Sequence, residues 1–424
     1  MPVASKLSAS STITPEIWSK IFHLATFIPD EWDAVANRVD MGILYFKDLQ
    51  AQAYFSVLPL RRTIVEVCQL WHKIGTKLLY ASFHCTTLES EESSYRLAAF
   101  AHVLVARPHL GRLVKRLALP WSPTVTDIEL IIRHCPNAII FSSLWAGLPA
   151  LSLPWVRSLP ESLRGLEANV GGMEVAEIMR ILFTLPNLEL LRMWNFGKAE
   201  GPSRYPRLRF PALRVLFLLF DTPKTIKSWV PILSNMDAPK LTALCTDIGK
   251  LSCAASSFPR DIWERITYLA AREKGYRYIR HTYLLNLKHL HLPVEENHTL
   301  QKLGVHFPFH QLENLTLYLV DMPKMDVGAW KPFILGLLVI PLDTKIMPSL
   351  RVLELDWGDG GLEAAVKRQA SHEDVMNKFL ISLGSLAVQV EKRGVCFLEV
   401  QRCVVYHTPA LIQEVVAACK QQVQ

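Results

Sequence analysis

The chain contains no Cys-x-x-Cys pair, and its eight cysteines, at 68, 85, 135, 245, 253, 396, 403 and 419, show no zinc-ligand spacing. Most lie in apolar runs, where a reduced thiol behaves as a small hydrophobe. Lys6 is not followed by a continuous apolar signal core, and no apolar run reaches membrane-spanning length. The longest runs, Val215 to Phe220 and Phe333 to Ile340, have the size of a strand or a short helix. These absences lead us to expect a chain without membrane association in a reducing compartment, cytoplasmic and/or nuclear. The tripeptides Asn297-His298-Thr299 and Asn314-Leu315-Thr316 then match the glycosylation pattern by coincidence.

Catalytic motifs are missing too. There is no Gly-x-Ser-x-Gly, no glycine-rich phosphate loop and no pair of zinc histidines on a helix. His289 and His291, with His281 and His298 nearby, lack the carboxylate or cysteine partners that complete a metal site. Asp356-Trp357-Gly358-Asp359-Gly360-Gly361 has no EF-hand register and reads as a solvated turn. Lys and Arg are scattered, so the formal charge of +7 points to solubility and not to a nucleic-acid partner. The expectation is a protein with no catalytic residues, metal or cofactor.

What is present begins with two helical segments. Thr14 can cap a helix, Pro15 suits its first position, and Glu16 favours its first turn. Ile17, Ile21 and Leu24 form one apolar row, with Trp18, Phe22 and Ala25 beside it. So wide an apolar surface suits a helix that packs on its own domain and also on a partner. Further on, Ile64, Val67, Cys68, Trp71, Ile74 and Leu78 fall at helical spacing and predict one continuous apolar face. Pro15-Glu16-Ile17, Ile21-Phe22, Val67-Cys68-Gln69-Leu70-Trp71 and the closing Leu79-Tyr80 together resemble an F-box. That resemblance implies docking to a Skp-type adaptor of a cullin–RING ligase through Pro15, Glu16, Ile17, Ile21, Phe22, Val67, Cys68 and Trp71. The departures are Ile13-Thr14-Pro15 in place of Leu-Pro, and an insertion at about 28–58. The insertion carries Trp32, Tyr45, Phe46, Tyr54 and Phe55, so at least one extra helix is expected within it.

From about residue 110 one phrase returns. It reads Pro186-Asn187-Leu188-Glu189-Leu190-Leu191-Arg192-Met193, then Pro211-Ala212-Leu213-Arg214-Val215-Leu216-Phe217-Leu218, and again from Pro239, Leu287, Leu312 and Pro348. Degenerate copies begin at Val114, Ala138, Leu163 and Val395. The early copies are spaced about 25 residues apart, and the chain resembles a leucine-rich-repeat protein over roughly 110–405. Alternate leucines point inward from a short strand and the intervening residues point outward. Val175, Ile178, Met179 and Leu182 make one intervening helical face, and Ile128, Ile131, Ile132 and Cys135 another, with Thr126 and Glu129 at capping-box spacing. The period and the missing phosphate loop favour this arrangement over a doubly wound α/β domain. No regular Asn follows the strands, so an irregular solenoid is expected. Pro259 to Ile266 echoes the first helix and reads as an inserted helix inside the long gap after Leu241.

The expected fold is therefore α/β, an all-helical F-box-like module followed by an irregular leucine-rich-repeat solenoid. Its expected parts are a flexible 1–12, the module at 13–83, a helical linker at 84–110, the solenoid at 111–405 and a capping helix at 406–424. Outward strand positions would form an exposed target-binding face of Arg192, Trp194, Phe217, Leu219, His289, His291, Tyr318 and Glu354. Arg116, Leu190, Val215, Asp247, Asn314, Thr316 and Asp356 share it. The resemblance implies the substrate-recognition subunit of a Skp–cullin–F-box ubiquitin ligase. The alternative is a ligase-independent leucine-rich-repeat interaction module.

Overall fold

The repeated phrase forms a strand wherever it occurs among the described residues. The computed structural model describes residues 13–26, 46–85, 90–119, 125–143, 158–171, 173–194, 196, 207–220, 223–246, 258–271, 284–293, 309–318, 347–356, 387–388, 390–401 and 404–407. It divides into two compact units: Met1–Arg38, Phe46–Met173 and Arg180–Leu188 form the first, and Val39–Tyr45, Glu174–Met179 and Glu189–Gln424 the second. The division thus falls among the repeats, not between helical module and repeats.

Unit 1 opens with helices α1 (Pro15–Ala25), α2 (Phe46–Val67) and α3 (Gln69–Ala81). After them come β1 (Ser82–His84), α4 (Ser90–Ala106), α5 (Pro108–Gly111), β2 (Arg116–Leu119), α6 (Val125–His134), β3 (Ile140–Ser143) and β4 (Gly165–Asn169). The four strands pair in chain order, all parallel in the pairings β1–β2, β2–β3 and β3–β4. Helix α7 (Val175–Phe183) carries the boundary between the units.

Unit 2 runs through β5 (Leu190–Trp194), β6 (Val215–Leu219), α8 (Pro223–Leu233), β7 (Ala243–Thr246), α9 (Arg260–Arg265) and β8 (Tyr268–Ala271). It ends with β9 (His289–Pro293), β10 (Asn314–Tyr318), β11 (Val352–Asp356), β12 (Cys396–Gln401) and β13 (Val404–His407). Here too each strand pairs with the next in the chain, parallel as far as β12, with β13 antiparallel to it. Both units are mixed α/β with repeats of leucine-rich type.

The alternation of side chains explains the core. Leu117, Phe141 and Leu166 occupy one register row in unit 1, and Leu191, Leu216, Leu244, Leu269, Leu290, Leu315 and Leu353 the equivalent row in unit 2. All are buried, as are the residues that open each phrase, including Val114, Leu188, Leu213, Leu241 and Leu312. Each buried leucine contributes roughly 1.5–3 kcal/mol, so the stacked rows dominate stability. The expected helical faces are buried as well: Ile128, Ile131 and Ile132 of α6 with Cys135 just after it, and Val175, Ile178, Met179 and Leu182 of α7. Thr126 lies inside α6 and not at the position before it, and Glu129 pairs with Arg133 one turn on.

A side-chain ladder joins successive turns at the other end of the strand from where it was sought. Asn137 donates to the Arg112 carbonyl at 2.8 Å, Ser162 to Pro136 at 3.0 Å and Asn187 to Glu161 at 3.4 Å in unit 1. In unit 2 Asn286 donates to Glu264 and Ser349 to His310, each at 2.6 Å. These residues sit just before the first leucine of the phrase. There they satisfy turn carbonyls that the parallel ladder leaves over.

Several expectations need revision. The apolar face from Ile64 to Leu78 is not one helix: it breaks at Cys68, which is extended (φ −161°, ψ 169°) and caps α3. The sheet begins at β1, ahead of the expected solenoid start at 111. The gap after Leu241 holds a whole repeat, with α9 as its helix and β8 as its strand. By contrast β10 pairs directly with β11 and β11 with β12, so the next two gaps are insertions between neighbouring strands. Residues 406 and 407 belong to β13, and the remainder of the expected capping helix lies outside the described residues, as do 1–12 and 28–45. The described part of the insertion, 46–58, belongs to the same helix as 58–67. Asn314-Leu315-Thr316 lies within β10 with Leu315 and Thr316 buried.

Candidate functional site

Helix α1 starts where the sequence places it. Pro15 takes its first position, and the Thr14 carbonyl accepts the Ile17 and Trp18 amides at 3.0 and 3.1 Å. Thr14 makes no side-chain cap bond to the backbone. Glu16 is instead held below the usual carboxylate range, first by its own backbone N–H and then by the Thr14 hydroxyl.

Residues of the two apolar rows of α1 differ in exposure. Trp18 and Phe22 turn toward α3, where Trp71 meets them at ring-centroid distances of 4.7 Å each, with 5.4 Å between Trp18 and Phe22. Phe22 is buried, and the three rings lock the helix pair. Arg61 of α2 closes the far end of α1 by donating to the Thr26 carbonyl at 2.9 Å. The other row faces outward: Ile17 is 49% exposed, Ile21 41% and Leu24 75%. Val67, 54% exposed, and Cys68 are open at the α2–α3 corner, and Leu60 is exposed on α2. Of the eight expected adaptor contacts, Pro15, Glu16, Ile17, Ile21, Val67 and Cys68 are exposed, Trp71 is half-buried and Phe22 is interior. Close packing supports this geometry, since a Cβ at Gly75 of α3 would stand 2.7 Å from Ile64 Cγ2 of α2.

The sheet face tells against the expected target-binding residues. Arg192, Trp194, Phe217 and His291 do point away from the leucine rows, but all four are buried. Arg192 lies over the Phe217 ring with 4.4 Å to its centroid, an interior cation–π contact. Leu219, His289 and Glu354 are half-buried, and Thr316 donates to the Glu354 carboxylate at 2.6 Å. Tyr318 stands in β10, but its side chain is outside the described residues. An open recognition face at these positions is therefore corrected to a mostly interior one. In unit 1 the same face carries His84, Arg116, Ser142, Glu167 and Asn169, all buried, with Ser142 donating to Glu167 at 2.6 Å.

Sequence reasoning missed this polar interior. Arg61 interrupts the apolar stripe of α2 between Tyr54 and Ile64, which was the available signal. Among the described residues no group of three His, Cys, Asp or Glu could hold a metal ion, and no helix is long and apolar enough to cross a membrane.

No family model matches the chain, and no curated protein matches it. Among solved structures it is similar to the leucine-rich repeat-containing protein LegL7 from Legionella pneumophila, at 11% identity and a TM-score of 0.37. That match covers 70% of this chain and 95% of the other. The leucine-rich-repeat character of both units rests on the strand phrase and register described above.

Proposed function

We propose that this protein is the substrate-recognition subunit of a Skp–cullin–F-box ubiquitin ligase. In this role the outward row of α1 and the α2–α3 corner dock the Skp adaptor, and the repeats hold a target protein. The observation that supports it is the exposed row Ile17, Ile21 and Leu24 beside a packed Trp18–Phe22–Trp71 cluster in which Phe22 is buried and both tryptophans half-buried. A helix that offers a second apolar row to solvent suits a partner. Phe22 and Trp71 then act as core, while Pro15, Ile17, Ile21, Val67 and Cys68 supply contact. The protein makes no bond itself; it raises the effective concentration of target beside the ubiquitin-loading enzyme. Target contact belongs to the repeats as a whole, since Arg192, Trp194, Phe217 and His291 are interior.

The test is binding of the purified full chain to a Skp adaptor. An Ile17→Asp, Ile21→Asp double variant is compared with Leu285→Asp, a change at an exposed repeat residue. We expect binding by wild type and by the control, and a loss of at least about 2 kcal/mol in the double variant, the scale of an interface hot spot. A folded wild type that fails to bind leaves the ligase-independent interaction module as the function.

A further inference from the structure

Four residues of unit 1 converge on the start of its sheet. Ser82 pairs with Arg116 and His84 with Ala118, so His84 and Arg116 are diagonal neighbours on one sheet face. Tyr54 of α2 stacks on the His84 ring at 4.7 Å, and Arg61 follows two turns later on the same stripe of that helix. Arg61 is 5% exposed and His84 4%. The Nη2 of Arg61 is used by Thr26, but its Nε and Nη1, and the Nε2 of His84, meet no acceptor among the described residues. Burial, and then the charges of Arg116 and Arg61, hold His84 well below its usual range, which places all three groups in one electrostatic neighbourhood. Burial also lowers Arg61 and raises the Tyr54 hydroxyl.

Such an arrangement is costly as it stands. A buried donor without an acceptor loses its full hydration, and a buried cation without a counter-charge loses more. One kind of ligand removes both costs, namely an anion with several acceptor oxygens. A carboxylate offers two oxygens to three orphaned nitrogens, whereas a phosphate offers at least three and about two negative charges.

We propose that Arg61 and His84, walled by Tyr54 and within the positive field of Arg116, form a buried site for a small tetrahedral oxyanion of the phosphate class. His84 donates from Nε2, Arg61 from Nε and Nη1, and the Tyr54 ring holds the imidazole in place. The site lies where α2 meets β1, so a bound anion ties the helical module to the first strand of the sheet. It is independent of adaptor docking.

The experiment is calorimetric titration of the full chain with inorganic phosphate, with chloride at matched ionic strength and with acetate, repeated for His84→Phe and Arg61→Gln. Phenylalanine keeps the stack on Tyr54 and removes only the donor, so this variant remains informative if Arg61→Gln destabilises the end of α1. We expect saturable phosphate binding, acetate at least tenfold weaker, no response to chloride, and at least tenfold weaker phosphate binding in His84→Phe. Phenyl phosphate distinguishes sources: its exclusion identifies the free ion, and binding equal to phosphate identifies a phosphorylated molecule. A folded wild type without saturable phosphate binding, or a His84→Phe variant that binds as wild type does, overturns the proposal.

Discussion

A single methyl group added at Gly111 tests the packing of unit 1 most severely. Gly111 ends α5, and a Cβ there would stand 2.0 Å from the His134 carbonyl oxygen and 2.9 Å from its carbon. Carbon–oxygen contacts close no nearer than about 3.3 Å, so the two backbones would have to part by more than about 1 Å. No side chain can rotate aside, because the obstacle is the last residue of α6, anchored by buried Ile131, Ile132 and Cys135. Gly111 does not have a left-handed backbone, so alanine would otherwise gain roughly 0.4–1 kcal/mol through the unfolded chain. Overpacking costs about 1–3 kcal/mol, and a backbone obstacle places Gly111→Ala at the upper end. The net loss is about 2 kcal/mol, or a fall in Tm of about 4–8 °C for a unit of this size. Two other glycines calibrate the result. At Gly165 the Cβ would meet Ile140 Cγ1 at an ordinary 3.4 Å, so Gly165→Ala should stabilise by roughly 0.4–1 kcal/mol through the unfolded chain. At Gly394 the space is open but φ is 77°, so Gly394→Ala should cost about 1–2 kcal/mol through the backbone alone. Denaturant midpoints of the full chain at constant m provide the assay. A Gly111→Ala variant as stable as wild type, or a Gly165→Ala variant equally damaged, would refute the packing argument.

Three further outcomes are expected. Trp71→Ala removes a half-buried ring that contacts both Trp18 and Phe22, and should cost about 3 kcal/mol in urea unfolding, the low end for a Trp truncation; a loss below about 1 kcal/mol would show that the trio does not hold α1. Asn286→Ala removes one ladder bond at an exposed position and should cost about 0.5–1.5 kcal/mol, against about 2–5 kcal/mol for Leu287→Ala one residue on; equal effects would deny the distinction between ladder and core. The Cys135 thiol is pushed by burial from 9.0 to about 12. The folded state therefore keeps its proton while the unfolded state releases it, so this contribution is intact below pH 9.0 and is lost as pH rises toward about 12. Wild type should then lose about 1.4 kcal/mol per pH unit more than Cys135→Ala across that window, and parallel pH profiles would exclude the effect.

Much of the repeat was legible because its cause is local. The strand at Leu190–Trp194 and the helix at Val175–Phe183 follow from spacing alone, since side chains two apart share a strand face and those three or four apart share a helix face. The repeat at Tyr268–Ala271 was hidden because Ile266 and Ala271 stand at the first and last marker positions in place of leucine, although Leu269 keeps the buried position. The break at Cys68 was hidden for a different reason, because apolar spacing continues across it and only the backbone changes direction. Likewise the ladder of Asn137, Asn187 and Asn286 was sought after the strands and found before them.

By itself the sequence determined which residues alternate, where each phrase starts, and that Ile17 and Trp18 fall on different rows of one helix. Those are properties of a few neighbouring dihedral angles. Only the tertiary structure decided that Trp18 is packed while Ile17 is exposed, that Arg192 and Phe217 are interior, and that Arg61, 23 residues before His84, shares its neighbourhood. Burial and electrostatic company depend on what distant segments bring to a surface, and no local periodicity carries that information.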